Sequence, residues 1–166
     1  MAPSSPSTRA PATPPAALEV PAPDAEAMRA LGAALGAVAE PGDLVCLFGD
    51  LGAGKTQFAK GFGAGLGVAD TVSSPSFVLM AEYRGRLPLF HIDLYRLAGG
   101  AAAIADGLID ERQADGVTLI EWADRLGAGL PAARLDVRIE GTGEEPRTVR
   151  LAPTDARHGR YLEAIR

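Results

Sequence analysis

The sequence predicts an α/β fold in three layers, with a mixed, partly antiparallel sheet between flanking helices. Three observations predict it. The apolar run Leu44-Val45-Cys46-Leu47-Phe48 reads as a buried strand, and it leads directly into Gly49-Asp50-Leu51-Gly52-Ala53-Gly54-Lys55-Thr56 and then into a helical stretch. Strand-like segments come in pairs joined by short turns, at Arg84-Gly85-Arg86 and at Gly141-Thr142-Gly143, which makes part of the sheet antiparallel. A second apolar run, Val117-Thr118-Leu119-Ile120, reads as a short buried strand and ends in the acid Glu121.

The eight residues after the first strand match G-x-x-x-x-G-K-[ST]. In that pattern backbone N–H groups wrap phosphate oxygens, the glycines allow a tight turn and close approach, and the lysine reaches the outer phosphates. A helix starting behind the loop aims its positive end at the same place. Gly49, Asp50, Leu51, Gly52, Ala53, Gly54, Lys55 and Thr56 are therefore the predicted nucleotide-binding residues, and the α/β fold is of the P-loop NTPase type.

Length and composition bound the rest. A chain of 166 residues with 47% hydrophobic content holds one domain with a real core. No apolar run approaches the roughly 18 to 20 residues of a membrane span, so the expected location is the cytoplasm. A net charge of -5 argues against a free-standing nucleic-acid binder, whose affinity comes mainly from Lys and Arg neutralising phosphates. Lysine occurs only at positions 55 and 60. Cys46 is the single cysteine, which excludes an intrachain disulfide and a cysteine-based zinc cage.

Residues 1–23 hold most of the prolines, many alanines and few large apolar side chains, and read as a disordered Pro/Ala-rich extension to a P-loop ATPase domain over 24–166. Asp24 can cap a helix running to about Ala39, with Met28, Leu31, Leu35 and Val38 on one face. Pro41-Gly42-Asp43 then turns the chain into the first strand. Gln57 to about Leu66 continues the loop as a helix weakened by Gly61, Gly63 and Gly65, unless these permit close packing. The stretch 71–77 is hydroxyl-rich and loops around Pro75.

Phe77 to Tyr83 and Leu87 to Tyr95 read as a hairpin, with Phe90, Ile92 and Leu94 on one face and His91, Asp93 and Tyr95 on the other. That polar row is either a solvated face or part of a site. Gly99 to Gly116 is a poorly defined helical region. Leu135, Val137 and Ile139, then Val149 and Leu151, mark a second hairpin, and a closing helix from about Asp155 buries Leu162 and Ile165.

In the chemistry that such a loop supports, Lys55 holds the outer phosphates and Thr56 gives its hydroxyl to Mg²⁺. Asp93 and Glu121 can hold the metal, directly or through water, or orient the attacking water. Ser74 and Ser76 are candidates for a switch loop sensing the γ-phosphate, with turn chemistry as the plainer alternative. The chain has no asparagine, so the Asn-Lys-x-Asp element of guanine-specific switches is absent and adenine is the expected base.

With the phosphate loop, Val72-Ser73-Ser74-Pro75-Ser76-Phe77, His91-Ile92-Asp93-Leu94-Tyr95-Arg96 and Ile120-Glu121-Trp122 in this order, the stretch from about Asp24 to Leu151 resembles the TsaE family, also called YjeE. The resemblance implies a slow bacterial ATPase supporting the formation of threonylcarbamoyladenosine in tRNA. It further implies ATP and Mg²⁺ as ligands, Lys55 on phosphate, Thr56 and Glu121 at the metal and Asp93 in the catalytic surroundings. The implied partners are TsaD and TsaB, with no tight binding of tRNA by the chain itself. Ser76 stands where family members usually carry threonine. Two other readings of the same residues are a small-metabolite kinase and a nucleotide-dependent docking module that does not hydrolyse.

Overall fold

The computed structural model describes residues 13–73, 80–96 and 111–166. Seven strands form one sheet: β1 (Leu18–Ala22), β2 (Leu44–Phe48), β3 (Met80–Arg84), β4 (Pro88–Asp93), β5 (Val117–Glu121), β6 (Leu135–Glu140) and β7 (Arg147–Pro153). Their order is β1-β7-β6-β2-β5-β4-β3. The middle strands β6, β2, β5 and β4 are parallel, while β3 pairs antiparallel with β4 at one edge and, at the other, β7 pairs antiparallel with both β6 and β1. Every residue of β2 and β5 is buried, as expected of central strands covered on both faces.

One face of the sheet carries α1 (Ala25–Gly36) and α2 (Lys55–Gly65), which pack Leu31, Leu35, Phe58 and Phe62 onto Val45, Leu47, Leu119 and Val137. Burying each large side chain contributes about 1.5–3 kcal/mol. The helices touch backbone to backbone: a Cβ on Gly61 would lie 2.0 Å from the Arg29 carbonyl oxygen, and one on Gly32 would lie 2.3 Å from that of Phe58. The α2 glycines therefore exchange helix propensity for contact. Cys46, Ile92 and Ile120 face the other way, against Ala123 and Leu126 of the 3₁₀ segment Ala123–Gly129. Burial pushes the Cys46 thiol up to about 12, so it behaves as an apolar side chain.

The extension differs from its sequence reading. Residues 1–12 lie outside the described residues, but Leu18–Ala22 is a strand, paired with β7 from Leu18↔Leu151 to Ala22↔Arg147. Leu18 and Val20 pack on the core and Ala22 is fully buried, and an edge strand tolerates Pro21. Asp24 does cap α1, its carboxylate accepting from the Ala27 N–H at 2.8 Å. The helix stops at Gly36, where Arg86 donates to the carbonyls of Gly36, Ala37 and Ala39. Of the first hairpin, residues 77–79 lie outside the described residues, Met80–Arg84 is a strand, and the second strand runs over Pro88–Asp93, inside the expected Leu87 to Tyr95. Of the helical region expected over 99–116, residues 99–110 are outside the described residues, and Glu111–Asp115 is a 3₁₀ turn. Among the described residues no helix is long and apolar enough to cross a membrane.

The closing segment is a 3₁₀ turn, Arg157–Gly159, followed by α3 (Arg160–Glu163), and it buries Tyr161 and Leu162 while Ile165 stays partly buried. It seals the start of β2. The buried Asp43 accepts from the Tyr161 hydroxyl at 2.5 Å and from the Glu40 N–H at 2.9 Å, and pairs with Arg157 and Arg160. Burial pushes the Tyr161 hydroxyl up, so it remains a donor. Tyr161→Phe leaves a buried carboxylate short of one donor. The expected loss is about 1.5–3 kcal/mol, read as a fall in Tm of roughly 3–12 °C by calorimetry.

Candidate nucleotide and metal site

The phosphate loop is shaped by what its glycines permit. A Cβ on Gly49 would lie 2.8 Å from the Ile139 carbonyl oxygen, so the loop leaves β2 pressed against β6. Gly54 adopts φ +113°, a conformation side chains disfavour, and stands as the N-cap of α2 with no side chain to satisfy the first-turn N–H groups. Those N–H groups are the donors a phosphate needs.

Lys55 folds back over this loop and is 5% exposed. Its Nζ donates to the carbonyls of Gly49 at 2.5 Å and Asp50 at 2.9 Å, and lies 4.0 Å from the centroid of the Trp122 ring. An ammonium has three donors, so one is left for a ligand. Burial pulls Lys55 below its ordinary value, opposed by the carboxylates of Glu121, Asp124, Asp50 and Asp93. A polyphosphate here would meet a cation that has lost part of its water already.

Glu121, 2% exposed, ends β5 beside the loop. Its Oε1 accepts from Thr56 Oγ1 at 3.2 Å and its Oε2 from His91 Nε2 at 2.7 Å. His91 is fully buried, and its Nδ1 has no hydrogen-bond partner among the described residues, so the contacts place the ring proton on Nε2. Asp93, two residues on along β4, sits opposite Glu121 in the parallel register, and its Oδ1 accepts from the Tyr95 N–H at 2.9 Å. The next residue of β5's path, Trp122, takes φ 58° and ψ 42°, left-handed values uncommon for a large side chain and costing about 1–3 kcal/mol. That turn lays the indole under Lys55, and the Tyr95 ring packs on it at 5.0 Å.

Lys55, Thr56, Asp93 and Glu121 thus line one cavity of about 380 Å³, with Tyr95 and Trp122. Gly52 and Gly54 line it too, and they also line a second cavity of about 270 Å³ that reaches Asp24, Met28 and Arg147. Leu51 is 68% exposed at the loop tip. Gly49 and Asp50 contribute carbonyls to Lys55, and Ala53 lines the second cavity. Ser74 and Ser76 lie outside the described residues. His91 enters the sequence reading of the site only as a member of the polar row with Asp93 and Tyr95; two further side chains have no role in it, Trp122 and Arg147, and the latter carries no local signal.

The residues present fit the groups expected of them. One hydroxyl and two carboxylates beside a phosphate cradle are the oxygen set that magnesium takes when substrate phosphates supply the rest. Among the described residues no cluster of three or more His, Cys, Asp or Glu could hold a metal alone.

Because Glu121 is buried and its two oxygens are held from two elements, the His91 contact is energetically coupled to it. A double-mutant cycle on His91→Ala and Glu121→Ala, read by urea denaturation, is expected to give a coupling of about 1–3 kcal/mol. Additive losses would dissolve the pair.

Known proteins bear on this arrangement. The family model described as "Threonylcarbamoyl adenosine biosynthesis protein TsaE" matches residues 22–149. The tRNA threonylcarbamoyladenosine biosynthesis protein TsaE of Bacillus subtilis is 38% identical over 141 residues, 84% of this chain and 88% of its own length. The protein of that name from Streptomyces coelicolor is 43% identical over 117 residues, 68% of this chain and 78% of its own. The crystal structure of YdiB from Bacillus subtilis superposes with a TM-score of 0.72 at 34% identity, covering 89% of this chain and 93% of that one. Sequence over most of its length and the fold that carries the loop agree: the chain belongs to the TsaE family.

Proposed function

We propose that the chain is a magnesium-dependent ATPase of tRNA threonylcarbamoyladenosine biosynthesis that acts on the threonylcarbamoyl transferase complex. The observation that carries the reading is the contact between Thr56 and Glu121 beside the buried Lys55. In phosphoryl transfer the protein mainly positions groups and stabilises charge. Lys55 and the first-turn N–H groups of α2 hold the β and γ phosphates. Thr56 and Glu121 hold Mg²⁺, which would neutralise charge on those phosphates. Asp93, on the neighbouring strand, faces the same cavity and orients water at its mouth. The base and ribose extend past Gly52 and Gly54 into the second cavity, whose rim offers Asp24 and Glu145 as acceptors for an exocyclic amine or a hydroxyl.

The TsaD–TsaB complex is the proposed partner, and by family membership the modification of tRNA is the process served. An acidic chain, net charge -5, fits action through other proteins better than a grip on RNA. Partner groups raise the rates of other phosphate-loop enzymes by about 10³ to 10⁵, and a rise in ATP turnover on adding that complex is expected here.

Two variants test the roles. At about 100 times its dissociation constant Mg-ATP stabilises a protein by roughly 2.7 kcal/mol, and Lys55→Ala is expected to abolish the resulting rise in Tm. Glu121→Gln, which removes the charge that would hold the metal, is expected to keep part of that rise and to lower single-turnover hydrolysis by about a hundredfold or more. Phosphorylation of a small acceptor in place of phosphate release would convert the reading to a kinase.

A further inference from the structure

Arg147 begins β7, opposite Ala22 of β1, and is half-buried. Its guanidinium leaves the sheet and meets four main-chain carbonyls. Nε donates to Ala53 at 3.0 Å; Nη2 donates to Gly52 at 3.1 Å and to Gly143 at 2.9 Å; Nη1 donates to Glu145. Two of these acceptors belong to the phosphate loop and two to the turn between β6 and β7. Gly141 in that turn adopts φ +109°, and a Cβ there would lie 3.1 Å from Arg147 Cδ, so the turn leaves room for the arginine stem.

A trans peptide carries its C=O and N–H in opposite directions. Holding the Gly52 carbonyl toward Arg147 sends the Ala53 N–H the other way, where it donates to the Asp50 carbonyl at 3.0 Å and closes the loop's inner turn. Holding the Ala53 carbonyl does the same to the Gly54 N–H, at the mouth of α2. If that peptide flipped, a carbonyl would replace a donor where negative charge is to bind. Only Arg's planar fork, charged at all working pH, can serve these acceptors together.

We propose that Arg147 is a positioning residue for phosphate binding: by holding the carbonyls of Gly52 and Ala53 it keeps the Gly54 N–H turned away from itself and available to a polyphosphate. The inference rests on the proposed binding of ATP at this loop. It adds that the antiparallel flank of the sheet, through one side chain, sets the electrostatics of the loop.

Binding of the non-hydrolysable analogue AMP-PNP and of inorganic tripolyphosphate, both with magnesium, is measured by calorimetry on the full chain and on Arg147→Ala, well below the melting temperature of each. Loss of two charged hydrogen bonds to the loop corresponds to at least about tenfold in affinity. A matched loss of that size for both probes is the expected result. A loss for AMP-PNP alone overturns the inference, because Arg147 would then be touching the nucleoside from the second cavity. Unchanged affinity for both overturns it too. If Arg147→Ala does not melt cooperatively, the same titrations are made on Arg147→Lys, which keeps stem and charge but not the fork. A matched loss of several-fold supports the inference there, and unchanged affinities refute it. A parent chain that binds neither probe refutes the proposed function itself, an outcome distinct from a binding parent with an indifferent variant.

Discussion

One buried carboxylate fixes the geometry of the site. Glu121 has left water almost completely, and a charge in that position is tolerable only when its oxygens are hydrogen-bonded and a cation is near. Thr56 from α2 and His91 from β4 supply the bonds, and Lys55, next to Thr56, supplies the charge. Each donor comes from a different element. Satisfying one acid therefore fixes how far α2 stands from β5 and in what register β4 runs beside it. The same requirement places Asp93 opposite Glu121.

What the sequence discloses follows the range of the physics behind it. The strand, loop and helix around Lys55 are contiguous, so spacing alone exposes them. Both hairpins are local as well, and their turn residues announce them. The strand Leu18–Ala22 is different. It has two apolar side chains among prolines and alanines, and it exists because β7, some 130 residues later, offers an unpaired edge and a place for Ala22 in the core. No window of sequence contains that partner. Trp122 shows the same limit in another form. The Glu-Trp pair is visible, but its left-handed backbone and its place under the Lys55 ammonium are set by tertiary contacts.

The two ends of β2 are held in contrasting ways. At its start, Asp43 collects Tyr161, Arg157, Arg160 and the Glu40 N–H, while His158 Nε2 accepts from the Leu44 N–H at 3.3 Å. At its far end the chain enters a loop whose conformation depends on glycines. A rigid anchor behind and a shaped loop ahead is how a scaffold keeps phosphate-binding N–H groups within the narrow tolerance that positioning requires.

Four arginines of this acidic chain are spent on its own structure. Arg86 is spent on the carbonyl end of α1, Arg160 on the Val38 carbonyl and Asp43, Arg134 on Asp136 and the Pro131 carbonyl, and Arg147 on the loop and turn. Each of these cations is engaged with its own backbone or with a neighbouring acid. A charge held in that way has little left to exchange with an RNA phosphate, whose binding depends on displacing counterions with free Lys and Arg. The positive charge of these four side chains thus stabilises helix ends and loops.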